Sequence, residues 1–195
     1  MERMIKRLCV FCGSSPYTDP KYYETAEELA RLLTTNGIGL VYGGSNIGTM
    51  KVIADCMLNT GGEAIGVMPQ ILVDKEIAHP GLTELHIVDS MHARKALMAE
   101  LSDGFIALPG GIGTLEELFE ILAWALLEIH KKPCGILNAH QYYQKLIDFL
   151  KHAAAEHFIK EEHHSILIME EDPKILLEKM NGYQAPNVKK WMGKK

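Results

Sequence analysis

The chain has no apolar run approaching the ~18 to 20 residues of a membrane-spanning helix, so no membrane partner is expected. It has no excess of basic charge either. Twenty Lys and Arg stand against 25 Asp and Glu, giving a net charge of −5 and a pI near 6.0, which argues against a nucleic-acid partner. The one basic cluster, Lys189, Lys190, Lys194 and Lys195, falls in residues 184–195 and reads as a solvated tail behind a single domain of residues 1–183. Cysteine is sparse. Cys9, Cys12, Cys56 and Cys134 are scattered through predicted strands and helices without framework spacing and are expected to be reduced. Cys9-Val-Phe-Cys12 has the C-x-x-C spacing, but it lies inside an apolar strand, where redox pairs usually open a helix. Met1 to Arg7 leads into that strand with no signal-peptide cleavage pattern, so the cytoplasm is the expected compartment. Nine histidines offer no metal set: His-Glu-x-x-His does not occur, and His163-His164 reads as loop surface. No Gly-x-Ser-x-Gly elbow, internal repeat or linker appears.

What is present is a regular alternation. With 47% hydrophobic residues over 195 positions, the chain is long enough to bury one sizeable core. Apolar runs at 7–11, 38–42, 63–68, 83–88, 105–108, 133–137 and 165–169 read as strands. Between them lie helical patterns, the first opened by Asp19 as N-cap and Pro20 and closed by Asn36-Gly37; later ones cover 114–130, 141–155 and 173–180. Residues 69–80 read as a polar loop. This predicts an α/β fold, a doubly wound parallel sheet of about seven strands with helices on both faces. Ligands of such sheets bind beyond the carboxyl ends of the strands.

Two glycine turns sit at such ends. Gly43-Gly44-Ser45-Asn46-Ile47-Gly48 matches neither G-x-G-x-x-G nor G-x-x-x-x-G-K-[ST]. Pro109-Gly110-Gly111-Ile112-Gly113-Thr114 ends one strand and opens a helix, whose free N–H groups and dipole favour an anion such as phosphate. Glu116, Glu117 and Glu120 follow within two turns. For Glu117 two readings stand: chemistry on whatever carries the phosphate, or a capping box Thr114-x-x-Glu117 with no chemistry. Glu116 and Glu120 are either part of the site or a solvated acidic helix start. Arg94 falls in the middle of an apolar helical stripe (Met91, Leu97, Met98, Leu101), so it is either a structural ion pair or snorkelling stem, or an arginine aimed at an anion. Helix 114–130 is apolar nearly all round after its first turn, through Ile121, Trp124 and Leu127, which predicts a homodimer.

Pro109-Gly110-Gly111-Ile112-Gly113-Thr114-Leu115-Glu116-Glu117 matches P-G-G-x-G-T-x-x-E, and Met91-His92-Ala93-Arg94-Lys95 matches M-x-x-R-K. Together they resemble the LOG family, cytokinin riboside 5′-monophosphate phosphoribohydrolases long mislabelled lysine decarboxylases, over nearly the whole chain. The resemblance implies a Rossmann-like dimer that cleaves the N-glycosidic bond of adenosine 5′-monophosphate or its N6-prenylated forms without metal or cofactor. By position it implies Arg94 and Glu117 as the catalytic pair. As substrate contacts it implies Lys95, Gly110, Gly111, Ile112, Gly113, Thr114, Leu115 and Glu116, with Arg94 again and Glu76 from the preceding loop. Ser14, Gly44 and Met91 are further candidates. One departure from the family's pattern is Gly43-Gly44-Ser45 and Met50-Lys51, where members often have Gly-Gly-Gly and Met-Gly; it bears on substrate preference. Two alternatives stand beside the hydrolase: a nucleotide-binding sensor or carrier without turnover, and a pyridoxal-phosphate lysine decarboxylase, for which no lysine has a clear Schiff-base setting.

Overall fold

A computed structural model describes residues 5–75, 78–160 and 165–186. Seven strands form one wholly parallel sheet in the order β4-β3-β2-β1-β5-β6-β7. They are β1 (Arg7–Phe11), β2 (Gly39–Tyr42), β3 (Ala64–Pro69), β4 (Glu84–Val88), β5 (Gly104–Ala107), β6 (Cys134–Leu137) and β7 (Leu167–Glu170). β1, β2, β3, β5 and β6 are buried throughout or nearly so, as continuous apolar runs in a two-faced sheet should be. Helices α1 (Pro20–Thr35), α2 (Gly48–Asn59) and α7 (Pro173–Asn181) cover one face, packing Leu29, Leu33, Ile53, Met57, Leu176 and Met180 onto Leu8, Val10, Leu40 and Ile106. On the other face lie α4 (Met91–Leu101), α5 (Ile112–Leu126) and α6 (Gln144–Ala155), through Met98, Leu118, Ile121 and Ile147. This is the doubly wound class.

Local signals explain most boundaries. Asp19 caps α1, its carboxylate accepting from the Lys21 N–H, and Gly37 at φ +65 turns the chain away after Asn36. The two-faced alternation of β1 also settles its cysteines. Cys9 packs on the α4/α5 side and Cys12 on the α1/α2 side, so the C-x-x-C pair points to opposite faces. All four cysteines are free thiols.

Three expectations are corrected. The loop 69–80 contains a short helix, α3 (Gln70–Val73). The helix expected from Gln141 begins at Gln144, after a 3-10 turn at Ala139–Gln141 in which His140 and Gln141 take left-handed φ of 53° and 57°. The helix expected at 114–130 spans Ile112–Leu126 with Gly111 as N-cap, although Gly113 is a poor helix former. The expected basic tail, Glu76 and His163-His164 lie outside the described residues, apart from the tail's first three positions.

Candidate active site

The chain builds β1 to β4 outward in one direction and then returns to place β5 against the other side of β1. Loops leaving β1 and β5 therefore diverge, and a cleft of about 500 Å³ opens between them. One wall is the β1 loop, Cys12 to Ser15; the other is the β5 turn, Pro109 to Thr114. Leu115 N–H is the first in α5 to reach a helical acceptor, Gly111 O at 3.1 Å, so the N–H groups of Gly111, Ile112, Gly113 and Thr114 have no partner within the helix. They and the helix dipole make an anion-binding end. Position 110 must be glycine: a Cβ there would stand 2.1 Å from Thr114 Oγ1, which folds back beneath the turn.

Arg94 and Glu117 meet at the base of this cleft. Ser90 caps α4 by accepting the Ala93 N–H at 3.1 Å, and one turn later Arg94 points inward and is buried. Arg94 Nε donates to Val67 O at 3.1 Å, and its Nη2 stands 3.8 Å from Glu117 Oε1, an ion contact too long for a hydrogen bond. A Cβ on Gly43 would lie 2.0 Å from that same Nη2, so the second glycine turn makes room for the arginine. Glu117 is 9% exposed. Burial raises its pKa to about 7, with the Arg94 charge pulling it down and Glu116 and Glu120 adding to the rise. Because Gly111 is the N-cap, Thr114 is the helix's third residue, and the capping-box reading of Glu117 fails: Glu117 sits more than a turn inside, on the side facing the cleft.

The structure gathers Ser14, Met91, Arg94, Glu116 and Glu117 at the cleft with the whole Gly110 to Thr114 turn. Lys95, Leu115 and Gly44 are not among the residues lining it. Lys95 is buried between α4 and α5, with Glu116 Oε1 at 2.5 Å and Glu120 Oε2 at 3.0 Å. Burial works to lower its pKa, but those two carboxylates prevail and raise it. The tie locks α4 to α5 and so keeps Arg94 opposite Glu117. Leu115 packs into the core beside α6, and Gly44, at φ +80, lies against Gly66.

Comparison with known proteins gives the family. A family model described as possible lysine decarboxylase matches residues 50–180. A cytokinin riboside 5′-monophosphate phosphoribohydrolase of Rhodococcoides fascians is 50% identical over 155 residues, covering 79% of this chain and 78% of its own. One of that name from Arabidopsis thaliana is 44% identical over 195 residues, covering 100% and 91%. This chain belongs to the LOG family.

Solved structures agree in fold at lower identity. The molybdenum cofactor carrier protein of Chlamydomonas reinhardtii superposes with a TM-score of 0.68 at 19% identity, covering 92% of this chain and 100% of its own. The molybdenum cofactor binding protein of Rippkaea orientalis gives 0.66 at 23%, covering 92% and 98%. At such identities the likeness shows the fold alone. The LOG motifs fall at the cleft: the P-G-G-x-G-T-x-x-E stretch is its β5 wall and the arginine of M-x-x-R-K its floor. The family model's description does not suit Lys95, since a Schiff-base lysine needs a depressed pKa and this one is raised. Sequence reasoning missed Thr18, Tyr22, Met50, Leu72 and Tyr142, which also line the LOG cleft. Tyr22 and Met50 stand in apolar stripes, a core signal; nothing local marks Leu72 or Tyr142.

Proposed function

We propose that this LOG-family chain hydrolyses the N-glycosidic bond of adenosine 5′-monophosphate and of its N6-substituted forms, releasing free base and ribose 5-phosphate. The observation that carries the reading is the buried Glu117, with a pKa near 7, beside Arg94 and next to an anion-binding helix end. Phosphate seated on the Gly111 to Thr114 N–H groups supplies binding energy away from the reacting bond and sets the ribose over the carboxylate. The C1′–N9 bond breaks with its electron pair passing to the base, C1′ gains oxocarbenium character, and water attacks C1′. Glu117, ionised, stabilises that positive charge and takes a proton from the water, as carboxylates do in O-glycoside hydrolysis. The departing base takes its proton from solvent, and Glu117 returns to solvent the one it took from the attacking water, so the protons balance. Arg94 cannot give one up, so its part is charge and hydrogen-bond donation, either to phosphate or to the departing base.

Met50, Leu72 and Met91 offer the cleft an apolar wall suited to adenine and to an N6-alkyl group. The homodimer is supported by a groove of about 400 Å³ between α5 and α6. Phe119, Leu126 and Leu127 are exposed there, and an exposed apolar patch of this kind marks an association site. Sedimentation at monomer mass would remove it. Free thiols, three of four buried, support a cytoplasmic setting; fractionation of the source cells tests it.

The deciding experiment incubates purified protein with AMP and with isopentenyladenosine monophosphate and quantifies free base by chromatography, with Glu117→Gln and Arg94→Ala alongside. Release from the native protein, reduced by about 10³-fold in Glu117→Gln, is expected. Binding of either nucleotide without release would make the chain a carrier or sensor on this fold.

A further inference from the structure

Two consecutive tyrosines hold the phosphate turn by its carbonyls. β6 lies beside β5, so the loop leaving β6 runs alongside the Pro109 to Thr114 turn. Tyr142 donates its hydroxyl to Gly110 O at 2.8 Å, and Tyr143 donates to Leu108 O at 2.7 Å. The two carbonyls flank Pro109, whose ring fixes φ between them. Both peptide groups entering and leaving the turn are thereby anchored.

The loop bearing the tyrosines is itself held. Asn138 Oδ1 accepts the Tyr143 N–H at 2.7 Å, and Tyr22, on α1 at the cleft, packs edge-on against His140 and Tyr142 with centroids 5.8 and 5.5 Å away. His140 and Gln141 both occupy the left-handed region at φ 53° and 57°, which is strained for a residue other than glycine. Such backbone persists only where its surroundings enforce it. Here it delivers the Tyr142 hydroxyl to Gly110.

A trans peptide is planar, and its C=O and N–H point in opposite directions. Fixing the Gly110 carbonyl therefore fixes the direction of the Gly111 N–H, the first free donor of the helix end. We infer that Tyr142 is a positioning residue for substrate phosphate: it sets the Gly110–Gly111 peptide plane, while Tyr143 anchors the preceding one. The inference rests on the nucleotide-hydrolase reading of the same cleft. Tyr22 and Tyr142 join the turn to α1, so the β1 and β5 sides of the site are braced against each other.

Tyr142→Phe tests this. It keeps the ring and its contact with Tyr22, removes one oxygen at a residue 44% exposed, and leaves water to meet the Gly110 carbonyl without fixing its plane. The readouts are KM and kcat on AMP, the dissociation constant of ribose 5-phosphate measured by calorimetry, and the melting temperature. A rise of about fivefold in both KM and the ribose 5-phosphate constant is expected, with kcat within about twofold and melting unchanged. Unchanged ribose 5-phosphate affinity, or a fall in kcat at constant KM, would overturn the inference. If the native protein releases no base, the hydrolase reading fails while the ribose 5-phosphate comparison still decides the role of Tyr142.

Discussion

The two ends of the same sheet treat charge in opposite ways. At the amino ends of the strands, Arg7 makes two hydrogen bonds to Glu63, at 2.8 and 3.0 Å, and one Asp103 oxygen accepts the N–H groups of Lys6 and Arg7 at 2.9 and 3.1 Å. The Arg7–Glu63 pair is closely matched and partly wet. At the carboxyl ends Glu117 is drier, its cation stands 3.8 Å away, and its pKa is about 7. Glycines clear space there for a guanidinium and a threonine, and non-glycine backbone is left-handed beside the turn. The first end is arranged for stability. The second accepts a cost in stability and gains a carboxyl that changes charge near neutral pH.

Breaking the poorly matched end should have the largest effect, and of mixed sign. Glu117→Gln is expected to lower kcat by about 10³-fold and yet raise stability above pH 7. The sign follows from the raised pKa. The native state holds a proton on Glu117 up to about pH 7, whereas an unfolded glutamate releases it near 4.5, so native stability falls as pH rises across that window. Melting temperatures of variant and native protein should converge at pH 4.5 and diverge by a few degrees at pH 8, which a calorimetric series will read.

Gly43→Ala should come next. Its Cβ would displace Arg94 from its place against Glu117, and kcat is expected to fall by about 10²-fold in the base-release assay. The smallest effect belongs to the well-matched end. Glu63→Gln loses a pair about one third exposed, so a loss of no more than about 1 kcal/mol in a urea titration is expected, with kcat unchanged. An equal loss of activity there would erase the distinction between the two ends.

Sequence carried what is encoded locally. Apolar runs and turn residues placed all seven strands to within about two residues, and the helix signals at Asp19-Pro20 and Asn36-Gly37 lie where α1 begins and ends. Arg94 was conspicuous because a charge interrupted an apolar stripe. It is buried for the same reason, between α4 and the sheet, bonded to Val67 O. The start of α5 misled: Thr114-x-x-Glu117 has the spacing of a capping box, but the turn's free N–H groups begin three residues earlier, at Gly111. Lys95 lay next to Arg94 in the motif, yet helical geometry carries neighbouring side chains in different directions, and it turns to Glu116 and Glu120. Tyr142 could not be found from spacing. Its contact with Gly110 spans 32 residues and exists because β6 lies beside β5.

The central claim is that an ionised Glu117 in a buried setting drives release of the base. The most direct test is the pH dependence of kcat/KM for free-base release from AMP, measured for the native protein and Glu117→Gln between pH 5 and 9. The account predicts that the native rate rises about tenfold per pH unit below an inflection near pH 7 and levels above it, while the variant stays at baseline throughout. A native profile that is flat across this range, or a variant that follows the native curve, would contradict it.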